Sequence, residues 1–168
     1  MILQNIQKNK AFVILFAVVV SSILLSITLG IANIALKELK FTTSARDTND
    51  SFFAADTGIE CALMNDKGVS SRFVLPGVST TVNCGGNSNI TATWAAIAGN
   101  PNNGVYTFIL TGLGAASSTN CAVVTVQKDA TSGIRTVTTI VSKGYNIGDA
   151  SCTSTSTNRI ERQLETRY

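Results

Sequence analysis

The residue types that most often carry out chemistry are scarce in this chain. It has no histidine, which removes the commonest general base and the commonest metal ligand. Asp56 and Glu60 are four residues apart and would share one helical face as paired carboxylates. With no nucleophile beside them, they read as a solvated or subunit-facing patch. A Ser–Lys arrangement is the remaining route to an activated hydroxyl. Ser142 and Lys143 are adjacent in a β-rich run, however, and neighbours on a strand point to opposite faces. Gly112-Leu-Gly-Ala-Ala116 is glycine-rich, but no Lys-Ser/Thr follows it and its surroundings are β, unlike a phosphate-binding loop. Asp149 and Asn146 offer too few oxygens for calcium. Asn49-Asp-Ser51 and Asn89-Ile-Thr91 match the N-glycosylation pattern, one that arises often by chance in a chain rich in Asn and Thr. Trp94 and Tyr106, isolated aromatics beside strands, are assigned to the core. The expectation is a protein that is not an enzyme, with no catalytic residue, no metal and no cofactor.

Four cysteines, Cys61, Cys84, Cys121 and Cys152, are the exception. Their number is even, their spacing is wide and no C-x-x-C pair occurs, which fits disulfides better than zinc. Two bridges allow three connectivities, and the spacing alone does not choose among them. Disulfides imply an oxidising compartment, so the elements that would take this chain there come next.

The 168 residues suffice for one domain and an anchor. Charged residues make up 14%, below the ~25% of ordinary soluble domains, and the deficit is concentrated: none lies between Lys10 and Lys37. The uncharged run 12–36 predicts a transmembrane helix. With its flanking residue it would be ~39 Å long, more than the ~30 Å of a bilayer's hydrocarbon core. Lys8 and Lys10 before it place the N-terminus in the cytoplasm. A cleaved secretory signal would have a shorter apolar region and an A-x-A end, and Gly30-Ile-Ala-Asn-Ile-Ala35 does not supply one. Ser21, Ser22, Ser26, Thr28, Gly30, Ala32 and Asn33 offer small or hydrogen-bonding surface, the kind that packs helices against each other in a membrane. Once Lys8 and Lys10 are set aside the remainder is nearly neutral, which argues against nucleic acid as a partner.

The helix is expected to continue. No proline occurs from Lys37 to Leu63, and Phe41, Ala45, Phe52, Ala55, Ile59 and Ala62 recur at three- to four-residue spacing, with Thr48 filling one slot. Residues 37–63 therefore read as the amphipathic half of one long helix. After Asn65 the composition turns to Ser, Thr, Gly and Asn, with short β-rich runs at Gly77–Cys84, Asn89–Trp94, Val105–Leu110, Cys121–Lys128, Ile134–Lys143 and Arg159–Tyr168. Gly85-Gly86-Asn87, Gly99–Gly104, Gly112-Leu-Gly114 and Asp129–Gly133 mark the turns. The fold class is α+β, a long N-terminal helix whose amphipathic half packs on a mostly antiparallel sheet. Cys61 would end the helix and Cys84 the first strand. Cys121 would start a hairpin and Cys152 lie in the loop after it, so these positions suggest Cys61–Cys84 and Cys121–Cys152.

A basic leader ahead of a long N-terminal helix that is half apolar resembles type IV pilins and pseudopilins, most closely minor pilins of the PilX N-terminal type. Three stretches carry the likeness: the junction Lys8-Asn-Lys-Ala-Phe12, the segment Phe52-Phe-Ala-Ala-Asp-Thr-Gly-Ile-Glu-Cys-Ala62, and Ser142-Lys-Gly-Tyr-Asn146 with the terminal strand. The resemblance covers 1–63 well, the C-terminal third loosely and 64–110 little. It implies a prepilin-type leader over 1–11, a helix over 12–63 and a disulfide-containing β-rich domain over 64–168. A prepilin peptidase would cut between Ala11 and Phe12 and Phe12 would be N-methylated. Two positions depart from the family's pattern: Ala11 stands where Gly is usual, and Phe16 stands at the fifth mature position, where Glu is usual. The resemblance implies a subunit, a minor one given Phe16, that waits in the inner membrane with its N-terminus in the cytoplasm and then joins other pilin subunits in an extracellular filament. A type II secretion pseudopilin and a single-pass anchored extracytoplasmic binding module are the alternatives.

Overall fold

A computed structural model describes residues 3–84, 86–97, 100–114, 119–130, 133 and 135–168, with backbone alone for 3–11 and 101. Met1, Gly85, Gly99, Ala115, Ala116 and Ile134, which enter the expectations above, lie outside the described residues, as does the side chain of Ala11. One helix, α1 (Leu3–Lys67), is followed by six strands: β1 (Thr80–Cys84), β2 (Asn87–Ile97), β3 (Asn100–Leu113), β4 (Asn120–Asp129), β5 (Val137–Tyr145) and β6 (Glu161–Arg167). The chain divides into two compact units, residues 1–44 and 45–168.

In the second unit the strands form one antiparallel sheet in sequential order, each paired to the next. This meander follows from turn-forming residues between β-branched runs. Alternation sets its two faces. Tyr106, Phe108 and Leu110 of β3, Ala122, Val124 and Val126 of β4 and Ile140 of β5 point to the main core, joined by Phe73 and Val82. Register aligns them in rows across the sheet: Tyr106 opposite Val126 and Val126 opposite Ile140, Phe108 opposite Val124. Leu164 of β6 packs at the margin of this core. On the opposite face Cys121, Tyr145 and Cys152 form a second, smaller cluster with Ile109 and Val123.

The expected helical stripe holds in its second half, where Ala55, Ile59 and Ala62 are buried, and fails in its first, where Phe41, Ala45 and Phe52 are exposed. Ser51, Ala54, Gly58, Cys61 and Asp66 are the other buried residues of the helix. The reason is distance. A Cβ built on Gly58 would overlap the Ser142 hydroxyl and Val124, and one on Gly144 would overlap the Ser51 carbonyl and the Ala55 amide. Where Gly58 meets β4 and β5, and where Ser51 and Ala55 meet Gly144, the helix lies so close to the sheet that only small residues fit; Ile59 still reaches the core, with Leu63 at its margin, while Phe41, Phe52 and Phe53 turn outward. The helix also runs one turn past Leu63, to Lys67, where Gly68 N donates to Met64 O at 3.1 Å and closes the end.

Candidate membrane anchor and helix–sheet seam

In the first unit no described side chain is buried: Phe12 to Ser44 are all exposed. Part of this stretch is long and apolar enough to cross a membrane, with a mean hydropathy of 2.8 over its window. An exposed surface of this size is what a bilayer or neighbouring helices would cover. Its polar residues satisfy themselves locally. Ser21, Ser22, Ser26 and Thr28 donate to the carbonyls of Ala17, Val19, Ser22 and Leu25 at 2.7–2.9 Å. These internal bonds remove the penalty of an unpaired hydroxyl in hydrocarbon, so these four hydroxyls need no partner helix to satisfy them. Ser22, Ser26 and Gly30 nevertheless recur every four residues on one face, the small-xxx-small spacing that lets two helices approach. The space around Gly30 is open. The same spacing is legible in the sequence once the small residues are placed on a helical face.

Two disulfides hold the second unit. Cys61 in the last turns of α1 is bonded to Cys84 at the end of β1, with Cα atoms 5.5 Å apart. Cys121 on β4 is bonded to Cys152 in the β5–β6 loop, with Cα atoms 5.8 Å apart. The first bridge couples helix to sheet, and Asn65 donates to the Cys61 carbonyl at 2.9 Å beside it. The second fastens a loop that Asn146 and Arg159 also hold: Asn146 Nδ2 donates to Asn158 O at 3.1 Å, and the Arg159 guanidinium stacks on Tyr145 at 3.6 Å. Asp149 tightens the same loop by accepting from the Ser151 and Thr153 amides at 2.9 Å. Those amides, Thr153 first, hold its carboxyl below the usual range.

The remaining chemistry-bearing residues are dispersed. Glu60 is exposed and Asp56 half-buried on the helix. Ser142 is fully buried on the core side of β5, and among the described residues its hydroxyl has no partner. Lys143 points the other way to an exposed ion pair with Glu161 at 3.4 Å. Ser51 of the first glycosylation pattern is buried and donates to Thr48 O at 2.9 Å, whereas Asn89 and Thr91 of the second are exposed. Trp94 packs half-buried against the buried Tyr106, ring centroids 4.7 Å apart, across Gly77 and Gly104. A cleft of about 270 Å³ beside Phe53 is bordered by Asp50, Thr57, Leu113 and Asn120. It contains no nucleophile–base pair.

One polar cluster has no counterpart in the sequence reading. Asp66 and Lys128, 62 positions apart, form a buried ion pair next to Tyr168. Searches of protein-family models, of characterised proteins and of solved structures give no match to this chain. What can be said of its role therefore rests on its residues and their geometry.

Proposed function

We propose that this chain is a structural subunit, of the minor-pilin kind, of a type IV pilus or a related filament. The observation that carries the reading is α1 itself: a wholly exposed apolar stretch in one unit, and in the other a continuation packed on a disulfide-bonded antiparallel sheet. Before assembly residues 12–36 hold the chain in the cytoplasmic membrane, N-terminus inside. Prepilin peptidase cuts between Ala11 and Phe12, Phe12 is N-methylated, and the helix then leaves the bilayer because other pilin subunits replace lipid around it. The protein acts by assembly and not by catalysis. Mass spectrometry of the mature protein tests this: an N-terminus at Phe12 is expected, and an N-terminus at Met1 would sink the processing step.

Phe16, in place of the Glu that pairs with a neighbouring subunit's amine in typical pilins, favours a second reading. In that reading the helix is a permanent anchor for an extracytoplasmic binding module. Sheared filaments that lack the protein, with all of it left in the membrane fraction, would select this alternative. A type II secretion pseudopilin shares the same features, and recovery of the chain with secretion machinery instead of pili would distinguish it.

A further inference from the structure

Asp66 near the end of α1 and Lys128 on β4 face each other inside the second unit, their side chains only 4% and 8% exposed. Lys128 Nζ lies 2.5 Å from Asp66 Oδ1 and 2.6 Å from Oδ2. The ammonium thus lies within hydrogen-bonding reach of both carboxyl oxygens. The surrounding groups hold the pair in place. Tyr168 Oη donates to Asp66 Oδ2 at 2.6 Å, Ser71 Oγ donates to Oδ1 at 3.0 Å, and Lys128 Nζ donates to Thr138 Oγ1 at 2.9 Å. Two full charges taken out of water carry a large desolvation penalty, whereas a neutral amide in the same place does not. The arrangement holds an amine nitrogen against a carboxyl group, away from water, with hydroxyl donors on both carboxyl oxygens. Orientation of this kind is a major source of rate in intramolecular reactions.

We propose that Asp66 and Lys128 condense after folding into an intramolecular amide, a covalent cross-link between α1 and β4. One ammonium proton first passes to the Asp66 carboxylate, which frees the lone pair on Lys128 Nζ; Nζ then forms a bond to Asp66 Cγ and the Cγ–OH bond breaks. The departing oxygen takes two of the three ammonium protons and leaves as water, and the third proton stays on the amide nitrogen. Nothing is oxidised or reduced and no further reactant is needed. The Tyr168 hydroxyl, on Oδ2, polarises the carboxyl group and relays a proton to the departing oxygen. Burial first, then the hydrogen bond and charge of Asp66, raise the Tyr168 pKa, so the hydroxyl stays protonated and remains a hydrogen-bond donor to Oδ2. The cross-link would tie the helix to the middle of the sheet independently of the Cys61–Cys84 bridge, and it would persist under reducing conditions. The inference rests on the second unit alone and does not depend on the filament role.

The test uses the full chain, unfolded, with its disulfides reduced and alkylated, then digested with trypsin and analysed by mass spectrometry. The expected result is a branched peptide joining the Asp66 segment to the Lys128 segment, lighter by one water than the two together, with no cleavage after Lys128. Lys128→Arg keeps the positive charge, and the branched peptide should disappear in that variant. Tyr168→Phe should slow its appearance after refolding, and an unchanged rate would remove Tyr168 from the reaction. Ordinary cleavage after Lys128 in the unsubstituted protein, with two linear peptides of full mass, would overturn the proposal whether or not any variant folds. A loss of water that persists in Lys128→Arg would overturn it as well, by placing the dehydration elsewhere.

Discussion

Gly58 on α1 faces Ser142 on β5 so closely that a Cβ at residue 58 would overlap the serine hydroxyl. Gly58 weakens the helix by about 1 kcal/mol relative to alanine, so its presence there is explained by the seam and not by the helix. Overpacking a core site costs about 1–3 kcal/mol. Gly58→Ala is therefore expected to lower stability on balance, read as a lower urea midpoint. Ser142→Ala removes the buried hydroxyl that lacks a partner among the described residues. It should be neutral or stabilising alone and should recover part of the loss in the double variant. Strict additivity of the two changes would mean that the residues do not touch.

Gly144 presents a harder case, because its neighbours are backbone. A Cβ there meets the Ser51 carbonyl and the Ala55 amide, and neither can rotate away as a side chain can. Gly144→Ala should cost more than Gly58→Ala, about 3 kcal/mol or above if the helix must shift. Thermal unfolding of the second unit is the measurement, and a Tm equal to that of the unsubstituted protein would contradict the close seam.

The two disulfides should differ in reach more than in magnitude. Their separations of 23 and 31 residues each correspond to about 3–4 kcal/mol in the chain-entropy model. Replacing Cys121 and Cys152 by alanine frees a loop that belongs to the smaller cluster on the far face, so hydrogen exchange should rise chiefly over residues 146–160. Replacing Cys61 and Cys84 releases the helix end from the main core and should speed exchange along the last turns of α1.

Alkaline pH should destabilise the second unit through Tyr106. Its hydroxyl is buried and donates to Val74 O at 2.7 Å. Burial, the largest cause, pushes its pKa above the ordinary value of 10.0. A raised folded-state pKa means that the unfolded chain loses its proton first, so stability is complete below pH ~10 and declines as pH rises from there toward the folded value. Tyr106→Phe should flatten that decline while costing about 1 kcal/mol at neutral pH for the lost hydrogen bond. Denaturant midpoints measured across the alkaline range check both parts, and an unchanged slope would assign the decline to other groups.

Much of this architecture is legible in the residues. The six strands fall where β-branched runs alternate between Gly- and Asn-rich turns, and only their ends shift, β3 starting at Asn100 instead of Val105. The helix stripe is where the pattern misleads. Phe52 is large and apolar, yet Ser51 and Gly58 hold buried positions close to it, since the gap at those two points admits nothing larger, while Ile59 finds room in the core. Hydropathy ranks side chains by their aversion to water and is blind to the separation of two elements. Nor could Asp66 and Lys128 be paired in advance. They are 62 positions apart and meet only because the meander brings β4 under the end of α1.

The face formed by Ser22, Ser26 and Gly30 yields the prediction that bears most directly on assembly. Among the described residues, and apart from the helix's own backbone, nothing lies within 4 Å of a Cβ at Gly30, so Gly30→Leu should leave the fold untouched, and added apolar bulk should not hinder membrane insertion. If helices pack through this face, leucine would hold them apart and weaken association. On the proposed filament role, the protein should then remain in the membrane fraction at its usual level while its yield in sheared filaments falls several-fold. Ser22→Ala, which keeps the face small, should have little effect. Equal recovery of the Gly30→Leu protein in filaments would show that subunits meet through another side of the helix, and loss from the membrane as well would point to failed insertion instead of failed packing.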